Sequence, residues 1–200
     1  MKTRQVHRTL GLILLLPFFA WAATGLVFFI KPGYGGAYDM PAVKTYPLTS
    51  PVTIPAREEW LEHRVVRTVL GEHLMVRTES GWSHLNPRTL KTRPRPQAAD
   101  IARLLDDAFL ENPDRYGHVA DASEQEILTT TGVRVKLYWD TLSLSQRGTD
   151  TVWIDRLYKI HYIQWTGIKT LDQVLGLSAL AGVVVLSLLG LRLFLAGRKR

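Results

Sequence analysis

Two apolar runs, Leu10–Ile30 and roughly Val174–Leu195, constrain this chain more than any other feature: the first carries no charge and the second none before Arg192. At 1.5 Å of rise per residue, about 20 helical residues cross a ~30 Å hydrocarbon core. A helix also satisfies its own backbone hydrogen bonds, which lipid requires. The sequence therefore reads as two membrane spans with a folded region between them. The basic residues agree with that reading. Lys2, Arg4, Arg8, Arg192, Arg198, Lys199 and Arg200 sit at the two ends and equal the whole formal charge of +7. The remaining Lys and Arg balance the 18 Asp and Glu, so the middle is neutral. Cytoplasmic flanks are enriched in Lys and Arg. Both termini are therefore expected in the cytoplasm, with the central region on the far side of the membrane. A neutral middle offers no basic face, which argues against nucleic acid as a partner.

The expected order is a tail at 1–9, a span at 10–30, a folded region at 31–149, an amphipathic segment at 150–170, a span at 171–195 and a tail at 196–200. Ala20-Trp21-Ala22 before Ala23 imitates a signal-peptide cleavage site, but apolar character continues through Leu26–Ile30, so a retained anchor is expected. There is no cysteine. That excludes disulfides, thiolate metal sites and haem attached through Cys-x-x-Cys-His.

Within the middle region, Lys31-Pro32-Gly33-Tyr34-Gly35-Gly36 reads as an exit linker, and Pro41, Pro47, Pro51 and Pro55 mark an extended lead-in. Val65–Leu70, His73–Arg77 and Trp82–Leu85 are short strands separated by turn residues, a three-stranded meander. Ile101, Leu104, Leu105, Ala108 and Phe109 share one face of a helix over Ala98–Leu110. Four more strands follow at 119–122, 126–130, 133–139 and 142–146. In the third, Val133, Val135 and Leu137 alternate with Arg134, Lys136 and Tyr138, one buried face and one wet face. The expected fold is a small α+β domain, a helix packed on an antiparallel sheet, plus two transmembrane helices. Trp153, Tyr162 and Trp165 favour an interfacial helix over Asp150–Trp165, broken near Gly167; a core helix is the alternative. Ser178, Gly182 and Gly190 share a side of the second span and suit close helix packing, with the first span or with a second copy.

Arg4-Gln5-Val6-His7-Arg8-Thr9-Leu10-Gly11-Leu12, with Ala23-Thr24-Gly25-Leu26 near the end of the first span, resembles the PepSY-associated transmembrane proteins. So does Trp153-Ile154-Asp155-Arg156-Leu157-Tyr158-Lys159-Ile160-His161-Tyr162 before the second span. The resemblance implies a PepSY-like middle domain, a bacterial inner membrane and a periplasmic domain. Larger relatives have four spans and some act as haem-containing ferric-siderophore reductases. PepSY domains elsewhere are associated with restraining proteases.

No His-Glu-x-x-His, Gly-x-Ser-x-Gly, Walker loop or Rossmann fingerprint occurs, so no catalytic residue is assigned. His73 and His84 face each other across the expected meander. As two surface histidines they fall short of the three or four ligands zinc takes, so no metal is expected. His7 and His161 match positions of the resemblance, and a neutral imidazole is an axial haem ligand. They stand at opposite ends of a ~30 Å span. A haem b would therefore need a second histidine from a homodimer or another membrane subunit. Two readings follow. One is a membrane-anchored binding or accessory protein without cofactor, acting on an envelope protein and linked to iron or siderophore handling. The other is a haem-b electron-transfer subunit, ferric reductase-like.

Overall fold

The computed structural model describes residues 3–123 and 126–197; the basic residues Lys2, Arg198, Lys199 and Arg200 lie outside these. In chain order the elements are α1 (Thr3–Ile30), α2 (Tyr34–Ala37), β1 (Glu62–Thr68), β2 (Gly71–Thr78), β3 (Gly81–Leu85) and α3 (Ala98–Phe109). There follow α4 (Pro113–Tyr116), β4 (Val119–Ala122), β5 (Ile127–Thr129), β6 (Arg134–Tyr138), β7 (Ser143–Arg147), α5 (Thr149–His161) and α6 (Lys169–Gly197). They fall into two units. One is Met1–Tyr34 with Val152–Arg200, the other Gly35–Thr151.

The first unit is helical. α1 and α6 have 28 and 29 residues, both long and apolar enough to cross a bilayer. Leu12, Leu16, Phe19, Val184 and Leu188 point outward from the pair. The seam uses glycine on both sides. Gly11 faces Leu186, Gly182 faces Leu14 and Gly190 faces His7, as an antiparallel pairing requires. A side chain at Gly182 would put its Cβ 3.0 Å from Leu14 Cδ1. Gly182 and Gly190 are thus occupied by α1 of the same chain, whereas Ser178 is exposed.

The amphipathic stretch at 150–170 resolves into α5, a turn, and the first residues of α6. α5 ends where Gln164 N–H donates to Lys159 O and Ile163 N–H to Ile160 O, with Ile163 at φ 55°. That is a Schellman cap built without glycine. Ile154, Leu157 and Ile163 are buried, while Trp153, Tyr162 and Trp165 are exposed. Asp172, in the first turn of α6, accepts from the Thr166 N–H and hydroxyl, which matches its carboxylate to the positive end of the helix.

The second unit is α+β, with two antiparallel sheets rather than the one expected. β1-β2-β3 form the meander and β4-β5-β6-β7 a four-stranded sheet. A shared core explains why two are needed. Leu104, Leu105 and Phe109 of α3 pack with Met75 of the first sheet and Ile127, Val135 and Leu137 of the second. Each such side chain contributes about 1.5–3 kcal/mol when fully buried. The expected alternation in β6 is present: Val135 and Leu137 are buried and Arg134, Lys136 and Tyr138 exposed. The lead-in shields two edges, since Tyr46 bridges to Arg67 on β1 and Ala42 to Ser143 on β7.

Candidate functional site

Among the described residues, three groupings of chemistry-bearing side chains bear on function. In the helical unit, Trp21, Thr24 and Phe28 lie on one face of α1 and enclose His161, the last residue of α5. Thr24 is buried at 4% exposure. Its hydroxyl donates to the Ala20 carbonyl, as i−4 contacts allow, so towards His161 Nδ1, 2.8 Å away, it acts as acceptor. The His161 Nδ1–H therefore donates to Thr24, and Nε2 is the ring nitrogen on the other side. The Trp21 indole donates to the His161 carbonyl, filling an acceptor that the end of α5 leaves open. Phe28 and Tyr162 pack edge-on against the imidazole at 5.1 and 5.4 Å between centroids. His7 is arranged differently. A Cβ on Gly190 would lie 3.3 Å from its Nε2, so that nitrogen is turned onto α6. His7 and Thr24 are 17 positions apart on one helix, about 26 Å along its axis.

In the α+β unit, the two histidines of the meander meet, but not on the surface. His73 is 0% and His84 1% exposed, and His73 Nδ1 lies 2.9 Å from His84 Nε2. Burial corrects the expectation of surface histidines, and the hydrogen bonds define a direction. The Trp139 carbonyl can only accept, so His84 Nδ1, at 2.8 Å, carries a hydrogen. Its Nε2 then accepts from His73 Nδ1–H. His73 Nε2 accepts in turn from the Thr68 hydroxyl at 2.7 Å, and Thr68 Oγ1 accepts from Leu70 N–H. Every ring nitrogen is committed and both rings are neutral. Burial, reinforced by the Arg93 charge and by the adjoining His84 ring, pushes His73 down to about 3. Burial also lowers His84, against the pull of the Trp139 carbonyl.

The third place is a cleft of about 400 Å³ between the β1–β2 turn and the Asn86–Leu90 turn. Arg67 and Glu72 are cross-strand partners there. Arg67 nevertheless donates to the Pro47 carbonyl, 2.9 Å away, instead of pairing with the carboxylate. Glu72 has a side chain only 10% exposed. One oxygen lies 3.6 Å from Arg88 and the other, Oε1, has no hydrogen-bond partner. Arg88 is 78% exposed, and its loop is fixed by Asn86 Oδ1, which accepts from the N–H groups of Arg88 and Thr89. Arg93 closes the base by donating to the carbonyls of Leu70 and Glu72. Sequence reading missed this cleft. The charges at 67, 72 and 88 are ordinary strand and turn residues in sequence, and nothing local signals that Glu72 is buried.

Among the described residues, no three His, Asp or Glu side chains gather as a metal site. His63 packs near Trp60, and His118 stands 3.9 Å from Asp106, each on its own. No family model, no curated protein and no solved structure matches this chain.

Proposed function

We propose that the chain is a membrane-anchored binding protein: a helical hairpin holds it in the bilayer, and the α+β unit recognises a partner or ligand. The observation that carries this reading is the cleft at Glu72. The Glu72 carboxylate is nine-tenths buried: Oε1 is enclosed without a donor, and Oε2 stands 3.6 Å from Arg88, too long for a hydrogen bond, so the group meets the cleft under-satisfied. Uncommitted buried polar atoms beside arginines are how recognition sites differ from plain surface. Placement in the bacterial inner membrane, with both termini in the cytoplasm, a periplasmic domain and a role beside iron uptake, belongs to this proposal. Its support is the charge of the tails and the PepSY resemblance. The two stretches that carry the resemblance meet in the Thr24–His161 hydrogen bond.

One observation favours the second reading. Thr24 holds His161 through Nδ1, which leaves Nε2 as the nitrogen for a metal, the arrangement in which a ligating imidazole is oriented by its other nitrogen. Haem b would supply a one-electron carrier there, and His161 with a histidine from a second chain would hold it. His7 fits less well, because its Nε2 faces Gly190.

One set of measurements separates the two readings. The full chain is made in haem-replete cells with a photocrosslinking residue at Thr49 beside the cleft, or at exposed Glu79 as control. The binding reading expects a colourless protein that gives adducts from Thr49 only or carries a small molecule seen by native mass spectrometry. A Soret band lost in His161→Ala establishes the haem reading instead. A colourless protein with equal adducts at both positions, or with neither adduct nor bound small molecule, eliminates both.

A further inference from the structure

The cleft at Glu72 has a chemistry specific enough to name a ligand class, and the step rests on the binding reading above. Three arginines, Arg67, Arg88 and Arg93, line it with one glutamate, so its charge favours an anion. Arg93 spends two donors on the turn carbonyls beneath it. Arg67 spends one of its five N–H groups on Pro47, and Arg88 only leans on Glu72 from 3.6 Å. Arg67 and Arg88 thus keep donors for an incoming oxyanion. An ordinary oxyanion, however, would bring its lone pairs against the Glu72 carboxylate, which also offers only lone pairs.

That conflict disappears for an anion that carries its own hydrogen. We infer that the cleft binds a protonated phosphate group, whose P–O–H donates to Glu72 Oε2, the oxygen beside Arg88 that is not enclosed, while its other oxygens accept from Arg67 and Arg88. Glu72 then acts as a selectivity filter. Inorganic phosphate bears at least one proton at neutral pH, and phosphomonoesters gain theirs near pH 6. Sulfate has the same shape and bears none. A carboxylate at the base of an oxyanion site accepts from the first and repels the second. The volume leaves room for a small organic group on the phosphate, and the buried carboxylate supplies specificity that surface arginines lack.

Calorimetric titration of the full chain in detergent at pH 7 and low ionic strength tests this with inorganic phosphate and with sulfate. Phosphate is expected to bind at least tenfold more tightly. Glu72→Gln should remove that preference, because an amide N–H can donate to sulfate as well. Arg88→Ala, at an exposed position whose loss leaves the fold intact, should weaken phosphate about tenfold. Phosphatidic acid added to the micelles distinguishes a lipid headgroup, which would compete, from a free phosphate, which would not be displaced; either result is compatible with the site. Equal binding of the two anions, no binding, or a phosphate preference untouched by Glu72→Gln overturns the inference. If it fails while cleft adducts persist in membranes, the ligand class is wrong and the binding reading stands.

Discussion

His73 and His84 are kept neutral by two causes that reinforce each other. Burial removes the water an imidazolium needs, and the one-way hydrogen-bond chain from Leu70 N–H to the Trp139 carbonyl leaves no acceptor for an added proton. Arg93 opposes a proton on either ring, and Asp140 favours one on His84 less strongly. In the unfolded chain both rings titrate near 6.5. In the folded chain His73 resists to about 3. Between those values the unfolded state holds more protons, so this stabilisation is complete above pH 6.5 and is lost as pH falls toward 3. His73 contributes a slope of about 1.4 kcal/mol per pH unit in that window, and His84 acts in the same direction. Near-ultraviolet circular dichroism during urea unfolding should show the midpoint falling from pH 7 to 4.5. His84→Gln, which keeps a donor for the Trp139 carbonyl and an acceptor for His73, should flatten the fall. A midpoint that ignores pH over that range would refute the neutral-pair assignment. Sequence brought the two histidines together across the meander. It did not show their burial, which depends on Trp139 arriving from the second sheet.

At the level of elements, packing along the α1–α6 seam depends on how close two backbones come. Gly182 sits where an added Cβ must displace Leu14, whereas Gly25, also helical, has nothing within 4 Å of that position. Gly→Ala at the two sites changes helix propensity alike, so their difference isolates packing. Gly182→Ala is expected to be about 1–2 kcal/mol less stable than Gly25→Ala, from the cost of overpacking a close contact. Denaturant unfolding of both variants in micelles measures it, and equal stabilities would mean that the seam is loose. Most elements were legible because their composition or periodicity is strong: the two long apolar helices, the meander, α3 and the alternation of β6 follow from apolar spacing. Two features were not. The division into two sheets is set by α3 and the side chains that meet beneath it, which no local pattern encodes. The end of α5 is set by Ile163 in a left-handed conformation that costs a non-glycine residue roughly 1–2 kcal/mol. Burial of that side chain at 3% exposure offsets the strain, so the usual glycine signal is missing.

For the molecule as a whole, the question is whether the α+β unit depends on its helices. Its two ends are tied to each other. Arg115 donates to both oxygens of Asp150, at 2.8 and 3.3 Å, and to Gln146 Oε1 at 2.7 Å. The Gln146 amide in turn donates to the carbonyls of Ala37 and Asp39, and Tyr116 donates to the Asp39 carboxylate. The pairing holds Asp150 below the usual carboxylate range, led by the hydrogen bond from Arg115. Gly36 has no side chain because a Cβ there would overlap the Arg115 guanidinium. Chain entry at 36–39 and chain exit at 146–150 are thus joined inside the unit, which also owns a complete core. The fragment Gly35–Thr151 is therefore expected to fold and melt cooperatively without α1 or α6. Arg115→Met should cost the fragment about 2–3 kcal/mol, below the 3–5 typical of a fully buried pair because Asp150 is 30% exposed. A fragment that aggregates or lacks a cooperative transition, while the full chain melts cooperatively in detergent, would show that the helical unit is part of the fold and not merely an appendage.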